Sequence, residues 1–459
     1  MNEIFERNLK PNYLDGRLLL RLMFVCDWRF FSWIINILLE NISLKNPYIS
    51  AVTSLYIFDN PQLHFLISSS WANKLYLKGS QNKINVYKHD RLRIGYFSPN
   101  FSNHALTSLI AEIIELHDTN KVELFGFNYS APANDDVYIR LKPYFKNFFE
   151  VHKYTDQEII DTAIKYEIDI AVNLVGYAGD STRPNVFSAR CAPVQITYMY
   201  AGPMALPAID YILGDRSTID SELEKYYSEK IIYMPNCYLT TDTKIKPKIY
   251  MTRENLNLPD SAFIFASLNA VYKINPRIFD VWLKILEQTE NSVLLLTKVT
   301  EAVKHNLLEY SKKSNIDPTR IIFQSETNKL QYYSYLSCSN LFLDTFPYNA
   351  HTVAIDATWC HLPILTLKGE SFASRVGASI LTTLEIPELI TTDINEYSKR
   401  AIELAKNKEL YLDIKARVKA GANNSSLLRP DLFVKNLERA YQAIYERKLA
   451  RLPNENIYL

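Results

Sequence analysis

The stretch RLRIGYFSPNFSNHALTSLIAEIIELH, residues 91–117, contains the two patterns on which the fold depends. Its first eight residues form a short apolar run that predicts a β-strand. From Ser102 onward, apolar residues recur every three or four positions, which predicts a helix with one apolar face. A strand followed directly by such a helix is the repeating unit of a parallel sheet covered by helices.

Strand-like apolar runs recur along the chain, and helical patterns separate most of them. Nearly continuous apolar strands are typical of parallel sheets that are buried on both faces. Their number predicts two doubly wound α/β domains, which bind ligands in a cleft outside the carboxyl ends of the strands. The further predicted strands are VELFGF (122–127), DIAVNLVG (169–176), FIFASLN (263–269), SVLLLT (292–297), IIFQS (321–325), LFLDTF (341–346) and PILTL (363–367).

These patterns divide the chain into four regions. We predict a helical N-terminal region over 1–88 and an N-terminal Rossmann-like domain over 89–243. A C-terminal Rossmann-like domain follows over 244–427, and a C-terminal helix lies within 428–459. The lysine-rich stretch TTDTKIKPKIY (240–250) is the best candidate for the linker between the two sheet domains.

The composition of the 459 residues excludes several functional classes. Lys and Arg number 51 and Asp and Glu number 50, and a net charge of +1 argues against a strongly basic nucleic-acid-binding protein. The chain has only 11 glycines, whereas average usage is about 7%. This scarcity argues against glycine-rich loops, which are the usual means of bringing backbone close to a phosphate.

The five cysteines show no CxxC spacing, which predicts free thiols in a reducing cytosol. The first ten residues, MNEIFERNLK, contain no apolar h-region. The longest uncharged apolar run, Phe30–Leu39, has about half the length that a membrane-spanning helix needs. We therefore expect a cytoplasmic protein without a membrane span.

An anion site is predicted where the strand LFLDTF leads through PYN into the helical pattern AHTVAIDATW. His351, Thr352 and Val353 fall at the N-terminus of that helix, where backbone N–H groups and the helix dipole favour negative charge. Asp356, one turn further on, could accept hydrogen bonds from a ribose. The alternative is that Asn349 merely caps the helix and that His351 is a surface histidine.

A lysine and a tyrosine are further candidates at the same edge of the second sheet. Lys273 follows the strand FIFASLN and could act as a point charge on a diphosphate, or it could be an ordinary solvated lysine. The segment ETNKLQYYSY (326–335) offers Thr327, Lys329 and Tyr332 after another strand. Tyr332 could stack on a base, although in a chain with 31 tyrosines simple packing is the alternative.

In the first sheet domain, His104 lies between a predicted strand and the N-terminus of the next helix. A histidine at this place could polarise a substrate, or it could have a purely structural role. Gly176 and Tyr177 follow the strand DIAVNLV at the expected cleft edge.

Motifs of several other enzyme classes are absent from the sequence, namely GxGxxG, GxxxxGK[ST], HExxH, GxSxG and DxD. We therefore disfavour a metal-dependent sugar-nucleotide site. A helix N-terminus, a lysine and a histidine would have to stabilise a departing diphosphate instead.

Together these segments resemble the catalytic region of the protein O-GlcNAc transferases, glycosyltransferase family 41. They occur in family order and cover roughly residues 20 to 440. The resembling segments are FVCDW (24–28), RLRIGYFSPNFSNHA (91–105), VNLVGYAGDSTRPNVFSARCAPVQ (172–195), SEKIIYMP (228–235), NAVYKINP (269–276), NSVLLLTK (291–298), RIIFQSETNK (320–329), LDTFPYNAHTVAIDATW (343–359) and GESFASRVGAS (369–379).

The resemblance implies a GT-B fold, in which two Rossmann-like domains face each other across a cleft that holds a UDP-sugar. It also implies inverting transfer to a protein side chain without a metal or another cofactor, the UDP-sugar being the co-substrate. By position, Lys273 resembles the lysine that neutralises the diphosphate, and His104 resembles the active-site histidine of the first domain. The implied substrate-binding positions are Gly176, Thr327, Lys329, Tyr332, His351, Thr352, Val353 and Asp356.

Several positions differ from the family pattern, and three of them bear on the predicted phosphate site. Ala270 stands where the family has glutamine, Ala350 where it has glycine, and Val353 where it has threonine. The family also precedes its catalytic region with a tetratricopeptide superhelix, whereas here about 88 residues precede the first sheet. Recognition of the acceptor would then fall to the cleft and the short helical region, or to an accessory protein.

We therefore predict a glycosyltransferase that moves a sugar, expected to be GlcNAc, from a UDP donor to Ser or Thr of a protein. One alternative is glucosyl transfer to Asn. The other is a non-catalytic family member that acts as an accessory or scaffold for another glycosyltransferase.

Overall fold

A computed structural model of the chain describes residues 16–42, 47–76, 82, 84–179, 181–245, 251–325 and 328–459. Contacts divide the chain into two units. The first-sheet unit contains Pro61–Ile245 and Ser425–Leu459, and the second-sheet unit contains Met1–Asn60 and Lys246–Asn424. The domain boundaries near residues 88, 243 and 427 stay a prediction.

The part of the chain that the structure describes contains fourteen strands and sixteen α-helices. The strands are β1 (Leu92–Ser98), β2 (Val122–Asn128), β3 (Asn147–Glu150), β4 (Ile170–Asn173), β5 (Val194–Thr197), β6 (Tyr211–Asp215), β7 (Lys230–Met234), β8 (Phe263–Ser267), β9 (Ser292–Leu296), β10 (Ile321–Phe323), β11 (Leu341–Leu343), β12 (Ile364–Leu367), β13 (Ile390–Thr391) and β14 (Ile457–Tyr458). The helices are α1 (Gly16–Phe24), α2 (Phe31–Asn41), α3 (Ala51–Ile57), α4 (Pro61–Tyr76), α5 (Ala105–Leu116), α6 (Asp136–Leu141), α7 (Asp156–Lys165), α8 (Pro184–Ser188), α9 (Pro276–Gln288), α10 (Glu301–Lys313), α11 (Lys329–Cys338), α12 (Thr352–Trp359), α13 (Val376–Thr383), α14 (Ile394–Lys406), α15 (Lys408–Asn424) and α16 (Pro430–Leu449).

The first-sheet unit is built on eight parallel strands in the order β14-β7-β6-β5-β4-β1-β2-β3. The rings of Phe97 and Phe127, from neighbouring strands, stack with their centroids 4.1 Å apart. On the other side, the Tyr96 hydroxyl lies 3.1 Å from the hydroxyl of Tyr441 on α16. The strand order reverses between β1 and β4, which makes their carboxyl ends the switch point of this sheet.

The second-sheet unit contains six parallel strands in the order β10-β9-β8-β11-β12-β13. Helices α9 to α15 surround the sheet, and the N-terminal helices α1 to α3 belong to the same unit. The order reverses between β8 and β11, so the switch point of this sheet lies at the carboxyl ends of those two strands.

The predicted α/β class with two doubly wound parallel sheets and a helical N-terminal region is confirmed. All eight predicted strands are present, several of them shorter than predicted, and the predicted C-terminal helix is α16. Six strands were not predicted, namely β3, β5, β6, β7, β13 and β14. β13 and β14 have two residues each, and charged or amide residues shorten the apolar runs of β3, β5, β6 and β7, which weakens the pattern that indicates a strand.

No helix among the described residues is long and apolar enough to cross a membrane.

Candidate functional site

Lys273 lies at the switch point of the second sheet, in a short 3₁₀ turn, Val271–Lys273, that follows β8. Its Nζ donates a hydrogen bond of 3.0 Å to the carbonyl oxygen of Asn349, in the loop after β11. The same nitrogen lies 4.6 Å from the centre of the Tyr348 ring, within cation–π distance. The lysine therefore joins the β8–α9 turn to the β11–α12 loop, as the sequence predicted that both would lie at one edge.

The ammonium of Lys273 sits in a partly buried place beside a buried acid. Burial lowers the pKa of Lys273, and the charge of Asp344 opposes that shift. Asp344, at the end of β11, accepts hydrogen bonds of 2.7 Å from the backbone N–H of Ala350 and from the hydroxyl of Thr366. Since an ammonium has three N–H donors and Asn349 takes one, Lys273 keeps donors for an anion.

His351 lies immediately before α12, and its Nε2 is buried. Its Nδ1 lies 3.1 Å from the Asn349 carbonyl oxygen, which can only accept, so Nδ1 carries the hydrogen. Its Nε2 is buried and has no hydrogen-bond partner among the described residues, and its side chain makes no capping bond to the helix. Burial, together with the charge of Lys273, lowers the pKa of His351 to about 3.

The interpretation that Asn349 caps the helix and that His351 is a surface histidine is wrong. The Asn349 amide donates to the Thr345 carbonyl at 2.8 Å and accepts from the backbone N–H of Gly377 at 3.2 Å. Asn349 thus fixes the loop, while its carbonyl receives both Lys273 and His351. The N-terminus of α12, with Thr352 and Val353 as its first residues, follows directly.

Asp356 lies on α12 and holds two tyrosines of α11. The hydroxyls of Tyr332 and Tyr333 donate to its two carboxylate oxygens at 3.0 Å and 3.2 Å. Burial raises the pKa of Asp356 to about 6, although both hydrogen bonds lower it. A carboxylate oxygen can accept a second hydrogen bond, so a ribose hydroxyl could still bind here. The stacking of Tyr332 on a base stays a prediction.

Lys329 and Thr327 are the two other residues predicted on the donor side. Lys329 is exposed at the start of α11, where the Asn328 side chain caps the helix by accepting from the Gln331 N–H at 3.0 Å. Thr327 lies outside the described residues.

The loop accommodates alanine where the family has glycine. Ala350 is completely buried and is not among the non-glycine residues with a positive φ, so the backbone there does not demand glycine. Ala270 is exposed after β8, where a glutamine side chain would add a hydrogen-bond donor.

The candidates of the first-sheet unit lie at the switch point of their own sheet. His104, after β1, is the N-cap of α5, and its Nδ1 accepts from the Leu106 N–H at 3.0 Å, which leaves the Nε2–H outward as a donor. Gly176, after the neighbouring β4, has a φ of +55°, and its N–H donates to the Asn173 side chain at 3.0 Å. A Cβ at Gly176 would overlap the ring of Tyr200. Only glycine fits at this position.

Asp344, Tyr348 and Tyr333 were not predicted from the sequence. An acid inside the apolar run LFLDTF was a usable signal for Asp344, because buried acids need a partner. Tyr348 and Tyr333 gave no such signal, because their roles depend on contacts across the sheet edge. Among the described residues, no group of three or more His, Cys, Asp or Glu could hold a metal ion.

Comparison with known proteins identifies the family of this chain. Residues 74–249 and 243–437 match the family model described as Glycosyl transferase family 41. The chain belongs to glycosyltransferase family 41. The resemblance predicted from the ordered segments is confirmed.

Curated relatives match the family 41 chain over most of its length. The probable UDP-N-acetylglucosamine-peptide N-acetylglucosaminyltransferase SEC of Arabidopsis thaliana is 31% identical over 359 residues, which are 76% of this chain and 37% of the plant protein. The UDP-N-acetylglucosamine-peptide N-acetylglucosaminyltransferase of Caenorhabditis elegans is 22% identical over 490 residues, covering 82% of this chain and 42% of the relative. The chain thus spans about two fifths of the length of these relatives.

A solved structure confirms the GT-B fold of this family 41 member. A mutant O-GlcNAc transferase from Thermobaculum terrenum superposes with a TM-score of 0.80 and 23% sequence identity. The match covers 87% of this chain and 76% of that protein.

Proposed function

We propose that this family 41 member transfers GlcNAc from UDP-GlcNAc to Ser or Thr of a protein acceptor, with inversion and without a metal ion. One observation gives this proposal its main support. Lys273 Nζ and His351 Nδ1 both lie within hydrogen-bond distance of the Asn349 carbonyl oxygen, just before the N-terminus of α12. A cation, a ring nitrogen and a helix N-terminus at a switch point form a site suited to a diphosphate.

The groups of this site can stabilise the negative charge that develops on the departing UDP during the reaction. The acceptor oxygen forms a bond to the anomeric carbon while the bond from that carbon to the β-phosphate oxygen breaks, and the acceptor hydroxyl loses its proton. Negative charge then grows on UDP, where Lys273 and the backbone N–H groups of α12 stabilise it. Because attack and departure occur on opposite faces of the sugar, the configuration of that carbon inverts.

The other candidate residues have supporting roles in this proposal. Asp356 binds the ribose, while Thr327, Lys329 and Tyr332 contact the uridine. His104 and Gly176 of the first-sheet unit serve the acceptor and sugar side of the reaction. The names of the relatives support the choice of donor and of a protein acceptor. An accessory protein that presents the acceptor is part of the same proposal.

Substitution of Lys273 tests the proposal. We expect Lys273→Ala to lower the transfer rate about 100-fold or more, as loss of one donor to a developing oxyanion does, with the fold intact. Transfer is measured by mass spectrometry of acceptor proteins incubated with UDP-GlcNAc, and the fold by circular dichroism. Lys284→Ala, which removes an exposed lysine of α9, is the matched control. Equal turnover of Lys273→Ala and Lys284→Ala would contradict the role of Lys273.

A second candidate function, as a non-catalytic partner of another glycosyltransferase, is favoured by one observation. Ala270 and Val353 lack the side-chain donors that the family pattern places there. A thermal-shift titration with UDP separates the two functions, since a ligand of the native state raises its apparent stability. No shift at millimolar UDP would favour the partner role. A hexose on Asn, found by the same mass spectrometry, would instead indicate glucosyl transfer to Asn.

A further inference from the structure

The end of α3 places one aromatic ring between the two loops of the proposed diphosphate site. The ring of Tyr56 lies 4.8 Å from the ring of Tyr272 and 4.9 Å from that of Tyr348, tilted by 54° and 57°. Tyr272 immediately precedes Lys273 in the β8–α9 turn, whereas Tyr348 belongs to the β11–α12 loop. Both geometries are favourable for aromatic pairs.

The rings of Tyr272 and Tyr348 connect Tyr56 to Lys273 and His351. Lys273 Nζ lies 4.6 Å from the centre of the Tyr348 ring, and the His351 ring lies 5.0 Å from it. Tyr56 also forms a hydrogen bond to the Tyr272 hydroxyl, which lowers the pKa of Tyr272 against the larger effect of burial. Any change in the spacing of the two tyrosines would therefore move the lysine relative to the histidine.

The residues just after α3 hold a third loop of the same site. The carboxylate of Asp59 accepts hydrogen bonds from the backbone N–H groups of Glu370 and Ser371, both at 2.9 Å, and from the hydroxyl of Ser374 at 2.6 Å. This loop in turn holds Asn349, whose N–H donates to the Ala373 carbonyl at 2.9 Å. The α3 segment thus contacts all three loops that surround the Asn349 carbonyl.

We propose that Tyr56 is a positioning residue of the donor site. Its ring sets the separation of the β8–α9 turn from the β11–α12 loop and so fixes Lys273 and His351 at the spacing that a diphosphate needs. Tyr56 acts through Tyr272 and Tyr348 rather than through contact with the donor. This inference rests on the proposed function for the identity of the ligand.

The N-terminal segment is also attached to the unit by Trp28, whose ring contacts lie on α9 and α10. Trp28 packs against Phe279 of α9 and Tyr310 of α10, with ring centroids 5.4 Å and 5.1 Å away. Phe24, at the end of α1, packs instead on Tyr272 of the β8–α9 turn, with ring centroids 4.9 Å apart. Loss of Trp28 removes the contacts to α9 and α10 but none of the ring contacts that Phe24 and Tyr56 make to Tyr272 and Tyr348.

Tyr56→Leu in the full chain tests the proposal, because leucine keeps an apolar side chain and removes the ring. We expect the Kd for UDP to rise about tenfold, the size of effect expected for two aromatic contacts and the cation–π geometry that depends on them. A second readout does not need UDP: the pH dependence of Lys273 acetylation by acetic anhydride, measured by peptide mass spectrometry. Since burial lowers the pKa of Lys273, loosening the loops should move its apparent pKa up toward its ordinary value.

Two further variants are the controls. Tyr56→Phe keeps both ring contacts and should bind UDP within about twofold of the wild type, since the rings carry the effect. Trp28→Leu should lower the melting temperature without moving the Lys273 titration. Tyr56→Leu with an unchanged Kd and an unchanged Lys273 titration would overturn the proposal. If the wild type binds no UDP, the proposed function is contradicted but the role of Tyr56 is not. The Lys273 titration, which needs no UDP, then tests the role of Tyr56.

Discussion

At the scale of single residues, the imidazole of His351 is neutral in the folded protein, because burial and a nearby positive charge raise the free energy of its protonated form. Burial and the neighbouring Lys273 lower its pKa to about 3, well below the ordinary value near 6.5. The unfolded chain therefore binds a proton between about pH 6.5 and pH 3 that the folded protein does not bind. This proton favours the unfolded state, so the stability falls as the pH falls through that range.

Replacing His351 by glutamine should remove this source of acid sensitivity. The wild type should lose up to about 1.4 kcal/mol more unfolding free energy per pH unit than His351→Gln, from pH 6.5 downward. Urea unfolding at pH 7.5, 6.0 and 5.0 measures the difference. Parallel losses of stability in the two proteins over this range would show that His351 is not held neutral. The comparison at pH 7.5 is the control for any effect of the substitution itself.

Residues of the candidate site differ in how far the sequence could predict them. Lys273, His351 and Asp356 follow predicted strands or begin a predicted helix, so topology alone predicted them at one edge of the sheet. Tyr348 and Tyr56 carry no local signal, because a ring that packs in the core and a ring that supports a lysine have the same sequence pattern. Only the contacts across loops distinguish these roles.

At the scale of elements, Asp59 clamps the β12–α13 loop to the end of α3 by three hydrogen bonds. We expect Asp59→Ala to lower the unfolding free energy by about 1.5–3 kcal/mol, the range for hydrogen bonds to a charged group. Chemical denaturation measures the loss. Glu370→Ala is the matched control, because it removes an exposed carboxylate but keeps the backbone N–H that binds Asp59. A similar small change in both variants would contradict the clamp.

The elements that the sequence predicted are those with long or strongly apolar runs. β1 and the strands β8, β9 and β11 have continuous apolar cores, and the amphipathic α5 and α16 show helical spacing over at least three turns. β13 and β14 have two residues each. They are strands only because β13 pairs with β12 and β14 pairs with β7. Such edge strands depend on tertiary pairing, which a local pattern does not contain.

At the scale of the whole molecule, we expect transfer that needs no divalent cation. Lys273 and the N-terminus of α12 supply the positive charge, and no acidic cluster suited to a metal occurs among the described residues. Transfer by protein treated with EDTA and desalted should equal that of the untreated protein. The measurement is the rate of acceptor modification with and without added Mg²⁺ or Mn²⁺. Loss of activity in EDTA that either ion restores would contradict this expectation.

The two units are interleaved along the chain, and this has a consequence for synthesis on the ribosome. Helices α1 to α3 emerge before the first-sheet unit but pack in the second-sheet unit, so they must wait for β8 to β12 to be translated. The first sheet in turn gains β14, and its helix α16, only from residues 430–458. Neither unit can be completed while the other is still unmade. Each unit therefore reaches its complete form only late in translation, and until then the incomplete units expose apolar surfaces on which chaperones can act.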